Sequence, residues 1–113
     1  MNLLSKKCVP CEGGTKPLPP AEAEKLLSQV KDWEFTDGKK IEKNFKFKDF
    51  KEAMGFVNKV ADLAEGEGHH PDIIVHGWNK VRLELSTHAI GGLSENDFIL
   101  AAKIDNINEY FYD

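Results

Sequence analysis

The sequence predicts an α+β fold: a four-stranded antiparallel sheet with helices packed on one face, in the order α-β-β-α-β-β-α. Three observations carry this expectation. Two pairs of β-prone runs are each joined by a tight-turn signal, Asp37-Gly38 in the first pair and Gly77-Trp78 in the second. Between the pairs, apolar residues recur at spacings of three and four, the mark of a helix with one buried side. A short helix opens the domain and another amphipathic run closes it.

At 113 residues the chain is expected to be one domain with a core of its own. Hydrophobic residues make up 41% and charged residues 30%, ordinary values for a globular protein. The net charge of −4 lacks the basic excess that direct binding of nucleic acid requires. No apolar run is long enough to span a membrane and no secretory signal is visible, so the expected location is cytoplasmic.

Residues 1–19 read as an N-terminal arm and 20–113 as the folded domain. Three of the five prolines and two glycines lie in the arm, which argues against a regular element there. Cys8 and Cys11 form a C-x-x-C, which suits a redox pair or half of a zinc site. Pro10 and Glu12-Gly13-Gly14 do not resemble the helix start of a redox motif, and no second C-x-x-C supplies the remaining zinc ligands. Pro19-Pro20 and the early carboxylates Glu22 and Glu24 start a helix that should end near Val30. In the next strand pair Ile41, Phe45 and Phe47 share a face, with Lys43 interrupting the row. Asp49 suits the cap of the second helix, whose expected buried stripe is Phe50, Ala53, Met54, Val57, Val60, Ala61 and Ala64. Gly66 and Gly68 end it.

The second strand pair, Asp72 to His76 and Asn79 to His88, sets Val81, Leu83 and Leu85 on one face and Arg82, Glu84 and Ser86 on the other. Ser94 and Asp97 then resemble a capping box, and Leu100, Ile104, Ile107 and Phe111 mark the buried side of the last helix. The polar sheet face and the open strand edges invite pairing with another copy, so a homodimer or homotetramer is expected.

All four histidines lie between Glu65 and Asp97. Folding the chain antiparallel about Gly77–Trp78 pairs positions that sum to about 155, or one or two more. His88 then falls opposite residues 67 to 69, next to His69 and His70. Histidine is the side chain whose ordinary titration lies nearest neutral pH. The end of the second helix favours imidazolium at His69 and His70 by about 0.3–1 kcal/mol, and Glu65 stands four residues before His69. Pro71 stiffens the exit from the pair. Imidazole is also a common metal ligand, and three histidines with Glu65 would suit zinc. Taken alone, the spacing leaves surface loop, metal site and acid–base site open. Trp78 lies ten residues from His88 along a strand, roughly 33 Å at about 3.3 Å per residue, too far to line the same pocket of one subunit.

Glu65-x-x-x-His69-His70-Pro71, then Trp78, nine residues to His88 and eight more to Asp97 resembles the signature of the pterin-4a-carbinolamine dehydratases. The stretches Asn79 to Val81, Ser86 to His88 and Gly92 to Asp97 extend the resemblance, which covers about residues 20–110. Six residues separate Pro71 from Trp78, one more than in many members, so the hairpin tip is expected to differ. The resemblance implies dehydration of 4a-hydroxytetrahydropterin to quinonoid dihydropterin, the recycling of the cofactor spent by aromatic amino acid hydroxylases. It implies His69, His70 and His88 as active-site histidines and no metal or organic cofactor. Glu65, Gly68, Pro71, Ser86, Thr87 and Asp97 are the expected substrate-binding residues, with the pterin as substrate and a hydroxylase as a possible partner. Two other readings remain: a non-enzymatic protein-binding module, like the transcriptional dimerisation cofactors among animal members, and a small zinc protein.

Overall fold

Asp37 and Gly38 both adopt left-handed backbone, with φ of 55° and 67°, which matches the twist of a tight hairpin. They join β1 (Glu34–Thr36) to β2 (Lys40–Lys46). Gly77 and Trp78, with φ of 54° and 57°, do the same for β3 (Asp72–His76) and β4 (Lys80–Leu85). The structure, a computed structural model, describes residues 3–9 and 16–108. Its helices are α1 (Pro20–Leu27), α2 (Phe50–Glu67) and α3 (Glu95–Asn108), with 3₁₀ turns at Leu3–Ser5 and His88–Ile90.

The two hairpins join through their inner strands into one antiparallel sheet of order β1-β2-β4-β3. Ile41 lies opposite Leu85, Lys43 opposite Leu83 and Phe45 opposite Val81, and these residues make the buried face. Asn79 locks the seam at its far end: its side-chain amide donates to the Phe47 carbonyl at 2.8 Å, and Phe47 N–H donates to the Asn79 carbonyl at 2.9 Å. On the open face the register sets Glu34, Glu42, Glu84 and Asp72 in one row across all four strands. Lys40 and Arg82 both pair with Glu84 there.

Lys43, the residue out of pattern, is buried with its ammonium over the Phe45 ring, 5.0 Å from the ring centre. Asp105 of α3 takes its charge at 2.8 Å. The same carboxylate accepts from the Trp33 indole N–H and the Lys31 amide, each at 3.0 Å, so a single acid ties β2, α3 and the segment before β1.

The cap at Asp49 forms as expected, its carboxylate accepting the Glu52 amide at 2.7 Å. The buried side of α2 is rotated from the expected stripe. Ala53, Phe56, Val60 and Ala64 are buried, whereas Phe50 is 54% exposed and Ala61 also faces out. The cause is Phe56, whose ring sits 4.8 Å from that of Phe45 and 5.0 Å from that of Phe47. Aromatic pairs add to area burial, and this trio decides which of two apolar stripes meets the sheet. The first two turns of α3 are buried on every side, from Asn96 to Ala101. Ile104 continues the core and Ile107 packs against it, while Phe111 lies outside the described residues. Among the described residues, no helix is long and apolar enough to cross a membrane.

Candidate active site

α2 stops at Gly68, whose φ of 68° lets its N–H turn back to the Ala64 carbonyl at 2.9 Å. Glycine takes this left-handed conformation without a Cβ penalty. The turn parts the two histidines. His69 points inward, its side chain only 12% exposed, while His70 stays on the surface.

His69 Nε2 lies 2.6 Å from Asp97 Oδ1. Asp97 is in the first turn of α3 and is 0% exposed. Its second oxygen accepts the Thr87 hydroxyl and the Ser94 amide, each at 2.9 Å. The Thr87 and Ser94 hydroxyls also meet at 2.8 Å. Thr87 is held by a bridge to Gly92, its N–H donating to the Gly92 carbonyl at 2.8 Å. Half of the expected capping box is thus present, Asp97 accepting the Ser94 N–H while its own N–H donates to the Ser94 carbonyl at 3.1 Å, and the same carboxylate also grips a histidine. A buried carboxylate is costly unless every lone pair is used, and bonds to a charged acceptor contribute about 1.5–3 kcal/mol each. Three donors converge on Asp97, and among the described residues no buried side-chain polar atom lacks a partner.

The sequence spacing suggests that Glu65 acts on His69; it pairs with His70 instead, Oε2 to Nε2 at 2.6 Å, with both side chains largely exposed. The left-handed turn at Gly68 is the reason, since it carries His69 away from the face on which Glu65 stands. His88 opens the 3₁₀ turn after β4 and is exposed. The β3–β4 register, Asp72 opposite Glu84, falls within the expected range and sets position 88 across from position 68 if carried past the ladder. His88 also follows Thr87 directly, so one hydroxyl contact links it to the His69–Asp97 pair. Pro71 and Ser86 are half-buried beside these elements and Gly68 is exposed. Thr87 and Asp97 are buried, which places them behind His69 rather than on an open surface. His76 lies at the opposite end of the hairpin, across from Lys80.

Cys8, one half of the C-x-x-C, is half-buried against α3, its thiol donating to the Asn96 carbonyl at 3.6 Å. Burial, and next the charge of Glu67, push the thiol up to about 12. It is therefore a thiol and not a thiolate at neutral pH, contrary to what metal or redox chemistry needs. Cys11 lies outside the described residues. Among the described residues no three His, Cys, Asp or Glu side chains are grouped to hold a metal ion. The relay from Thr87 and Ser94 to Asp97 is not foreseen from the sequence, although the capping-box pair is its visible half.

An open-faced α+β sandwich, with His69 held by a buried carboxylate where the end of one helix meets the start of another, defines the class. The family model for pterin 4 alpha carbinolamine dehydratase matches residues 16–107. A Methylococcus capsulatus protein named "Putative pterin-4-alpha-carbinolamine dehydratase" is 51% identical over 107 residues, 94% of this chain and 93% of the relative. The mitochondrial pterin-4-alpha-carbinolamine dehydratase 2 of Arabidopsis thaliana is 46% identical over 94% of this chain and 59% of its own. The crystal structure of a transcriptional coactivator/pterin dehydratase from Brucella melitensis superposes with a TM-score of 0.76 at 35% identity, covering 81% of this chain and 98% of that one. The chain belongs to the pterin-4α-carbinolamine dehydratase family, a family of hydro-lyases.

Proposed function

We propose that this chain removes water from a 4a-hydroxytetrahydropterin by histidine acid–base catalysis, giving the quinonoid dihydropterin and serving the recycling of a hydroxylase cofactor. The family supplies the reaction class. The observation that carries the mechanism is the imidazole of His69 held by a fully buried Asp97. Asp97 accepts from Nε2, so Nδ1 is the ring nitrogen left to exchange a proton with substrate.

The chemistry needs two transfers. One proton goes to the oxygen on C4a, which leaves as water with the bonding pair. One proton leaves a ring nitrogen, and its electron pair forms the new double bond. His69 and His88 serve as this acid and base, each worth about 10²–10⁴-fold. His70, on the surface with Glu65, orients the pterin. Asp97 fixes the orientation and tautomer of the His69 ring, and Thr87 holds Asp97. A homo-oligomer formed through the open sheet completes the reading, and sedimentation of a monomer at micromolar protein would remove that part.

The test is dehydration of a 4a-hydroxytetrahydropterin generated in situ by a hydroxylase. Dehydration well above the uncatalysed rate is the expected result. Turnover no faster than the uncatalysed reaction would favour the binding-module reading. Stoichiometric zinc in the purified protein would favour the zinc reading.

A further inference from the structure

The His69–Asp97 bond joins two helix ends, so its length depends on what holds those ends at their separation. Lys103 of α3 reaches Glu67 of α2 at 2.8 Å, one strut between them. A second strut comes from outside the region that the family model matches, which begins at residue 16. Cys8 N–H donates to Glu67 Oε1 at 2.9 Å, two residues before His69. The next peptide group bonds the other helix: Val9 N–H donates to Asn96 Oδ1 at 3.0 Å, and the Asn96 amide returns a bond to the Val9 carbonyl at 2.5 Å. Asn96 directly precedes Asp97. Two consecutive residues of the N-terminal segment thus straddle the gap that the dyad crosses.

The strut is anchored. Leu3 is buried in the core, and Lys6 pairs with Glu95 at 3.0 Å. The Cys8 thiol stays protonated and so remains a donor to the Asn96 carbonyl at working pH. Further on, Leu18 N–H donates to the Leu93 carbonyl at 2.9 Å, and a Cβ on Gly92 would come within 2.9 Å of Pro17. The loop carrying Ser94 is therefore pressed from the same side.

We propose that residues 3–9 are a positioning element of the active site: through Glu67 and Asn96 they set the separation of the α2 and α3 ends, and thereby the His69–Asp97 hydrogen bond. The proposal rests on the reading of His69 and Asp97 as the catalytic pair. Glu67 and Asn96 do not touch the reacting atoms and are positioning residues.

The test compares Asn96→Ala and Glu67→Ala in the full chain with the parent. Glu67→Gln serves as the conservative rescue, since its amide oxygen still accepts the Cys8 N–H. Lys48→Ala, which loses only the exposed pair with Glu52 at the far end of α2, serves as the control. Two readouts are needed: kcat and KM for dehydration, and the nitrogen-15 and proton resonances of His69 Nε2–H. The two alanine variants should lower kcat roughly ten- to a hundredfold, the scale of a misplaced catalytic group. KM should change by less than about twofold, and the Nε2–H resonance should shift or be lost to exchange, while the Glu67→Gln and Lys48→Ala variants stay within about threefold of the parent. If Asn96→Ala does not fold, Asn96→Asp, which keeps the acceptor for Val9 and loses the donor, takes its place. Alanine variants with parental kcat and an unmoved His69 resonance would overturn the proposal. The resonance reports without turnover. A failure of the catalytic reading of His69, seen as dehydration that survives His69→Ala, is thereby told apart from a failure of the strut.

Discussion

Asp97→Asn changes one atom and tests the assignment of roles around His69. The carboxylate accepts three bonds, from His69 Nε2, Thr87 Oγ1 and Ser94 N–H. The Ser94 donor is a backbone amide and must keep an acceptor, so the single oxygen of the substituted side chain turns toward Thr87 and Ser94. The amide nitrogen then faces His69 and donates to Nε2. This forces the proton of the neutral ring onto Nδ1, the nitrogen that must be free to accept one. The geometry survives and the tautomer does not, so kcat should fall by about 10²–10⁴-fold, the full worth of one acid–base group. Stability should fall by about 1–3 kcal/mol, because bonds to a charged acceptor are replaced by neutral ones. The kinetics are read in the coupled hydroxylase assay and the stability by urea titration. A variant that keeps parental turnover, with fold and stability as predicted, would refute the view that Asp97 acts through the His69 tautomer.

His70→Ala should raise KM more than it lowers kcat, because an exposed ring paired with Glu65 is placed to hold substrate and not to be driven by a buried acid; steady-state kinetics checks the split. Glu67 supplies a pH test. Burial pushes its carboxyl upward, but the Cys8 N–H and Lys103 bonds outweigh this and hold it below its ordinary value of 4.5. A carboxylate lowered in the fold stabilises it fully above the unfolded value and loses that contribution as pH falls through the folded one. Urea midpoints should therefore drop as the pH falls below about 4.5, and Glu67→Gln should flatten that drop; an unchanged slope would count against the bonding around Glu67. Each single change at His69 or His88 should lower kcat and kcat/KM together, and the double change should cost less than the two singles combined.

The hairpins, the cap at Asp49 and the alternation of Val81, Leu83 and Leu85 were legible because each depends on neighbours in sequence. Asp37-Gly38 and Gly77 fold as local turn chemistry dictates, whereas Trp78 takes a left-handed backbone that its own side chain disfavours. The rotation of α2 was not legible. Two apolar stripes run along that helix, and the choice between them rests on Phe56 meeting Phe45 and Phe47. The β3–β4 pairing followed from hairpin register, and the half of the dyad contributed by Asp97 was visible as a capping residue. What stayed hidden was that one carboxylate does both jobs, since His69 and Asp97 are 28 residues apart. Lys43 was seen as a break in pattern, and its explanation, Asp105, lies 62 residues away. The Cys8–Glu67 bond, spanning 59 residues, has no local signal at all.

The central claim, that histidine acid–base chemistry here dehydrates a pterin, is tested most directly by the His69→Ala, His88→Ala double variant in the hydroxylase-coupled dehydration assay. Circular dichroism run alongside confirms the fold, which should persist because neither ring belongs to the core of Phe56, Leu83, Leu85 and Ile104. The expected dehydration rate of the double variant is close to the uncatalysed one. A folded double variant that keeps the parental turnover would contradict it.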